Sequence, residues 1–256
     1  MRTNLVKRRL LSGATVIGTL LQETRTPAMA QILKQTGFEY FMIDMEPGGY
    51  NLESVAELIR VGRLLDLCPL VRVVSAEYDW IARTLDQGAM GLMMPRVENR
   101  AQVEHFVSCA QYPPLGKRGS AGGAHREYET VAVADFLAAS NRETLLIIQI
   151  ENRPALEQLD ELLTVPGVDV ALVGPEDMSI ALGIPGEMNH PALEDAMRRV
   201  VSTCQRHGVV PGVFAASVPQ ARSWLGLGMR FLLYATDVLL YQEAARQALS
   251  QIKGGA

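Results

Sequence analysis

Two kinds of apolar pattern alternate along the chain. The first is a short run of branched and aromatic residues: TVIGT (15–19), YFMID (40–44), PLVRV (69–73), GLMMP (91–95), LLIIQIE (145–151), VALVG (170–174), VVPGVF (209–214) and RFLLYA (230–235). Near-continuous apolar runs of this length suit strands covered on both faces, because successive side chains leave a strand on opposite sides. The second pattern, in LESVAELIRVGRLL and PALEDAMRRVVSTCQRHG, repeats its apolar positions every three or four residues. That is the stripe of an amphipathic helix, and Gly208 is a natural stop for the second one.

Eight strand–helix units in 256 residues predict a (β/α)8 TIM barrel, one domain spanning 1–256. A doubly wound open sheet is the alternative, although no G-x-G-x-x-G follows the first strand. The opening MRTNLVKRRLLSGATVIG is basic, but Ser12 and Gly13 cut its apolar stretch short, so it reads as an amphipathic helix and not as a targeting segment.

Composition narrows the classes. Net charge is −4 with both signs interspersed, which leaves no electrostatic footprint for nucleic acid. Mean hydropathy is +0.09 and no apolar run reaches the roughly 18 residues of a membrane span. Cys68, Cys109 and Cys204 share no metal-ligand spacing and suit reduced, partly buried thiols in the cytoplasm.

A barrel keeps its chemistry at the C-terminal ends of its strands. Polar residues gather there: Asp44 and Glu46, Arg72, Gln149 and Glu151, Asp177 within GPEDMS, and Thr236 with Asp237. An arginine inside an apolar strand is costly unless an anion meets it. Arg72 therefore reads as a bidentate clamp on a substrate carboxylate, or else as half of an interior ion pair with Glu46 or Glu151. Glu151 and Asp177 end successive strands and could share a hard divalent cation. After Gly-Pro, the amides of Glu176 and Asp177 could form an anion-binding helix start, with a plain N-cap by Asp177 as the alternative. The segment YPPLGKRGSAGGAHREYE (112–129) reads as a lid over the mouth or a subunit contact, and His125 on it as a proton donor or a solvated loop residue. His105, His190 and His207 read as structural.

In order along nearly the whole chain, TGFEYFMIDMEPGGY, PLVRV, LDQGAMGLMMPRVE, YPPLGKRG, QIENRPALEQLDEL and VPGVDVALVGPEDMSIALG resemble the signatures of the HpcH/HpaI aldolase and citrate-lyase-like family, in its aldolase branch. The resemblance implies a (β/α)8 barrel, commonly a hexamer with exchanged C-terminal helices, that binds 2-oxo acids through a divalent metal. It places Glu151 and Asp177 on the metal-ligand positions and Arg72 on the 2-oxo acid clamp. Gln149 falls on a substrate contact, and the amides of Glu176 and Asp177 on a carboxylate cradle. Asp44 matches the acid that orients a catalytic histidine, yet Pro47 stands where that histidine is expected.

The missing histidine directs the functional expectation. Siderophore-pathway citrate synthases resemble this family, and their Claisen condensation of acetyl-CoA with oxaloacetate deprotonates no aldol hydroxyl. That reaction is the leading expectation, with Glu46, Glu151 or Asp177 as base, Arg72 holding oxaloacetate and His125 as donor. The alternative is a class II aldolase working on pyruvate and an aldehyde; the third reading is an inactive 2-oxo-acid-binding scaffold. The expected cofactor is Mg²⁺, with Mn²⁺ or Ca²⁺ as alternatives and metal-free Claisen chemistry also open. No nucleotide cofactor is expected beyond acetyl-CoA as substrate.

Overall fold

All eight apolar runs form strands in the computed structural model, which describes residues 2–254. They are β1 (Val16–Leu21), β2 (Tyr40–Asp44), β3 (Cys68–Arg72), β4 (Gly91–Met94), β5 (Leu145–Ile150), β6 (Val170–Val173), β7 (Val210–Ala215) and β8 (Phe231–Thr236). Each pairs in parallel with the next, and β8 closes on β1. Helices follow the strands around the outside, so the chain is a single-domain TIM barrel.

Strand alternation sorts the core into two parts. One parity points inward: Val16 and Leu20, Tyr40 and Met42, Cys68 and Leu70, Leu145 and Ile147, Val170 and Leu172 pack together in the lumen. The other parity, including Leu21, Phe41, Ile43, Val71, Ile148 and Ala171, packs under the helices. Counting two residues further along the inward parity reaches Asp44 on β2, Arg72 on β3 and Gln149 on β5. The apolar lumen therefore ends in a polar top layer, and Asp44 and Arg72 are paired in register.

The opposite end of the lumen is plugged by the helix Leu5–Leu11, whose Val6 and Leu10 join the interior cluster. Asn4 begins it, accepting from the Lys7 N–H at 3.0 Å while its own amide donates to the Met90 and Glu143 carbonyls. The basic start is thus the helix that its amphipathic pattern predicts, and its apolar face closes this end of the lumen. The helix Pro191–His207 stops at Gly208, whose φ of +68° is the left-handed conformation that ends helices. The C-terminal helix Asp237–Ile252 buries only Asp237 within its own chain.

Lumen packing is tight where β1 meets β2. The Tyr40 ring stacks on Phe231 with centroids 4.5 Å apart, and its hydroxyl donates to the Leu232 carbonyl at 2.6 Å. Gly18 faces that ring so closely that a Cβ would lie 2.4 Å from it. Gly18→Ala is therefore expected to lower stability by about 1–3 kcal/mol through overpacking, read as a reduced midpoint in urea unfolding.

Candidate active site

The top layer is organised by one carboxylate. Asp44 is fully buried and receives both Nε and Nη2 of Arg72, at 2.8 and 2.6 Å. Gln22 and the Glu46 N–H add weaker contacts at 3.4 and 3.2 Å. The expected bidentate fork of Arg72 thus exists, but its partner is Asp44. What faces the barrel mouth is the other edge of the guanidinium, with Nη1 3.3 Å from the Gln149 side-chain oxygen and 3.2 Å from Glu46. Burial opposes charge on Arg72, yet the bonds and charges of Asp44, with Glu46 and Glu151 behind, raise its pKa further. Asp44 accordingly acts as an orienter of Arg72: both its oxygens are occupied and neither is exposed.

Glu46 lies two residues beyond Asp44 on the same face. One of its oxygens meets Arg72, and the other takes Arg96 Nε at 2.6 Å. Arg96 comes two residues after the end of β4, beyond Pro95, and adopts a left-handed φ of +54°, a conformation that costs a non-glycine residue roughly 1–2 kcal/mol. In this conformation its backbone N–H donates to Glu151 Oε1 at 2.8 Å. The other Glu151 oxygen is held by the Gln149 side-chain amide. Gly174 backs this pair so closely that a Cβ would sit 2.9 Å from Gln149 and 3.0 Å from Glu151. Burial, then the like charges of Asp177 and Glu46, push the Glu151 carboxyl above its usual range.

These groups line a cavity of about 520 Å³ at the C-terminal mouth, bounded by Glu46, Pro47, Arg72, Arg96, Glu151 and Asp177 among others. Asp177 sits inside the helix Pro175–Ala181, whose N-cap is Gly174 with no side-chain cap. The plain N-cap by Asp177 is therefore not formed. Pro175 has no N–H, and the amides of Glu176 and Asp177 lie in the first turn, ahead of the Met178 N–H that returns to Gly174.

Asp237, beyond β8, is spent elsewhere. It accepts the N–H groups of Gln22, Glu23 and Thr24 at 2.7–3.1 Å, tying the exit of β1 to the last helix. His125 is also remote. The segment 112–129 follows the helix Arg100–Ala110 and precedes β5, so it joins the N-terminal end of the barrel and runs along its flank. Glu127 pairs there with Arg2, whose Nη1 also donates to the Arg63 carbonyl. Arg118 meets Asp86 at 2.6 Å and lies over the Tyr112 ring; Arg126 lies over Phe136. His125 is buried edge-on against Phe136, 3.2 Å from the Asp86 carbonyl, with its Nε2 unpartnered. Neither a lid over this chain's own mouth nor a donor within its own cavity is formed. A helix-to-strand connection returns to the N-terminal face, and Arg118 and Arg126 of the loop are taken up by aromatic rings, Asp86 and Ser120.

The profile of the HpcH/HpaI aldolase/citrate lyase family matches residues 20–244. The chain belongs to the HpcH/HpaI family. It is 32% identical over 251 residues to a 2-keto-3-deoxy-L-rhamnonate aldolase from Klebsiella pneumoniae, covering 98% of this chain and 94% of the relative. An HpcH/HpaI aldolase of Desulfitobacterium hafniense superposes with TM-score 0.95 at 32% identity, covering 100% and 98% of the two chains. The citrate synthase SbnG superposes with TM-score 0.84 at 26% identity, covering 97% and 98%.

Family aldolases are typically dependent on a divalent metal, and the donor set of this member fits a hard cation. Glu151 and Asp177 both line the cavity, and neither forms an ion pair with an arginine among the described residues. Among those residues no group of three or more His, Cys, Asp or Glu converges as a metal cage, so water and other oxygen ligands would have to complete the shell of a hard cation. Pro47 lines the cavity and lends it no proton-carrying group. Arg96 is the residue that sequence reading passed over; it obeys the same strand-end rule as the others, within MPRVE.

Two expectations follow. Asp44→Ala leaves the largely buried Arg72 without its counter-charge and should cost about 3 kcal/mol in urea unfolding, while Asp44→Ala with Arg72→Met should cost less than the sum of the single changes. His125 has its pKa lowered from 6.5 by burial, then by Arg118. The unfolded chain therefore binds the extra proton first, and the stability due to a neutral His125 is lost as pH falls from about 6.5 toward the lowered folded value. The stability difference between His125→Phe and the unaltered protein should shift toward the variant across that window; a pH-independent difference would contradict the assignment.

Proposed function

We propose that this protein is a metal-dependent class II aldolase that makes or breaks the C3–C4 bond of a 4-hydroxy-2-oxo acid, with pyruvate as the smaller fragment. The observation that carries it is the cavity at the mouth, where Glu151 and Asp177 stand free of arginine pairing beside the exposed edge of a fixed Arg72. The aldolase relative that spans nearly the whole chain supports this chemistry over the Claisen condensation expected from Pro47. The lining also favours it: its carboxylates Glu46, Glu98, Glu151 and Asp177 outnumber Arg72 and Arg96, a poor reception for the phosphates of acetyl-CoA.

In this reading the substrate carboxylate lies against the amides of Glu176 and Asp177, which point from a helix start. A divalent cation held by Glu151 and Asp177, Mg²⁺ in the first instance, supplies Lewis-acid polarisation of the 2-oxo group when bound. Arg72 places Nη1 toward the same oxygen and stabilises the charge that grows there, while Gln149 holds both Arg72 and Glu151 in position. Glu46 takes the place of the missing histidine. It accepts the proton of the C4 hydroxyl, the C3–C4 electrons pass to the pyruvate enolate, and protonated Glu46 returns the proton to C3. The aldehyde leaves through the open mouth.

The proposed assembly is a homo-oligomer in which a second copy covers the C-terminal helix, because Tyr241, Leu249 and Ile252 are exposed on it. The proposed compartment is cytoplasmic, in keeping with three free cysteines, all buried. No helix among the described residues is long and apolar enough to cross a membrane.

Incubation with pyruvate and an aldehyde should yield a hydroxy-oxo acid, and exhaustive chelation should abolish the product. Glu46→Gln should lower kcat by roughly 10²–10⁴-fold with the fold intact. Thiol release from acetyl-CoA and oxaloacetate, without aldol product, would replace this reading with Claisen condensation. Pyruvate binding with neither product would leave the scaffold.

A further inference from the structure

The turn after β4 is fastened to the segment after β5 by groups that no step of the reaction uses. The Arg96 N–H reaches Glu151 Oε1 at 2.8 Å, and the Asn152 side-chain amide reaches the Val97 carbonyl at 3.0 Å. The Gln158 side-chain amide adds a bond to the Glu98 carbonyl at 3.1 Å. Val97 itself is buried in the core under the helices, which anchors the turn from inside. Asn152 is committed at both ends, because its oxygen accepts the Ala155 N–H at 2.9 Å as the N-cap of the helix Arg153–Glu157. Between Pro95 and the anchored Val97 stands residue 96 at φ +54°. A left-handed residue other than glycine persists only where its surroundings over-determine it, and such residues gather at functional sites.

We propose that Asn152 is a positioning residue for Glu151. By holding the Val97 carbonyl it keeps residue 96 left-handed, and the backbone N–H of residue 96 then fixes the carboxylate in the orientation that receives the cation. This rests on the aldolase reading, in which Glu151 and Asp177 hold a divalent metal. Glu151 is restrained on three sides: residue 96 on Oε1, the Gln149 amide on Oε2, and Gly174 behind, where a Cβ would lie 3.0 Å away. A carboxylate has about four lone-pair directions, two on each oxygen, so one on each stays open after these bonds. Groups behind a ligand decide where those open directions point, which is why their loss weakens a metal site without touching the ion. The side chain of Arg96 has no part in this device; only its N–H and its φ do.

Calorimetric titration of chelator-stripped protein with Mg²⁺ tests the assignment. Arg96→Gly and Arg96→Val both remove the side-chain contact with Glu46, but glycine enters the left-handed region freely and a β-branched residue does not. Arg96→Gly should therefore bind Mg²⁺ roughly 10- to 100-fold more tightly than Arg96→Val. Asn152→Ser keeps an oxygen to cap its helix but loses the amide donor, and should weaken Mg²⁺ binding by roughly 10-fold. Added to Arg96→Val it should cost little more, because both changes act through one turn. Equal affinities of the glycine and valine variants, or an Asn152→Ser affinity unchanged from the unaltered protein, would each overturn the proposal. Urea unfolding in chelator is the control: variants that lose stability and keep their Mg²⁺ affinity assign Asn152 a structural role alone, which also overturns it. Absence of Mg²⁺ binding by the unaltered protein overturns the proposal together with metal dependence. The expected ranking of affinities, with no aldol product from pyruvate and an aldehyde, refutes the aldolase reading alone.

Discussion

The carboxylate of Asp44 and the guanidinium of Arg72 meet at the top of an otherwise apolar lumen, and the polar chemistry of the mouth is arranged around that contact. Neither group could be there alone. A buried aspartate or arginine without its counter-charge carries a desolvation penalty of several kcal/mol. Paired in register on adjacent strands, they satisfy each other through two bonds and leave one edge of the arginine facing outward. Rigid strands on both sides make that edge a fixed donor, so little reorganisation is needed when charge develops on a bound oxygen.

From Arg72 the order propagates outward. Nη1 reaches Gln149 and Glu46; Gln149 holds Glu151; Arg96 holds Glu46 with its side chain and Glu151 with its backbone. Opposite charges alternate along this chain of contacts, which lets several carboxylates share one cavity. Glu151 stands at the end without a direct cationic partner, and its raised pKa reflects burial and the neighbouring Asp177 and Glu46. A carboxylate in that state is a strong ligand for a hard cation, because the cation removes the repulsion that burial aggravates.

The turn after β2 shows how backbone and chemistry are joined. Gly48 lies so close to the Asp44 carbonyl that a Cβ would be 2.1 Å from it, so Pro-Gly-Gly folds back tightly over the end of the strand. Pro47 lines the cavity with a ring that cannot carry a proton. Asp44 is not stranded by this, since Arg72 occupies it fully. The two acids beside the proline have separate tasks: Asp44 orients an arginine, and Glu46 faces the cavity.

The barrel was legible in the sequence because strands buried on both faces must be apolar throughout, and all eight runs say so. The mouth residues Asp44, Glu46, Arg72, Gln149, Glu151 and Asp177 were legible for a related reason: a charged residue ending an apolar run has nowhere to go but the polar rim. Partner choice was not legible. That Arg72 gives its fork to Asp44 and only an edge to the cavity depends on strand register, which no local pattern encodes. That Arg96 bridges Glu46 and Glu151 depends on a left-handed backbone at a residue whose side chain gives no hint of it. His125 was misplaced because loop composition does not record which end of the barrel a loop serves. Its position after a helix and before a strand does, and the burial of its neighbours between Asp86 and two aromatic rings is a property of the folded chain alone. Sequence determined which residues are inside and at which end of each strand the polar ones emerge, since hydrophobic period is a local property. Tertiary structure decided who pairs with whom, since an ion pair is settled by distances of a few ångströms between segments far apart in the chain.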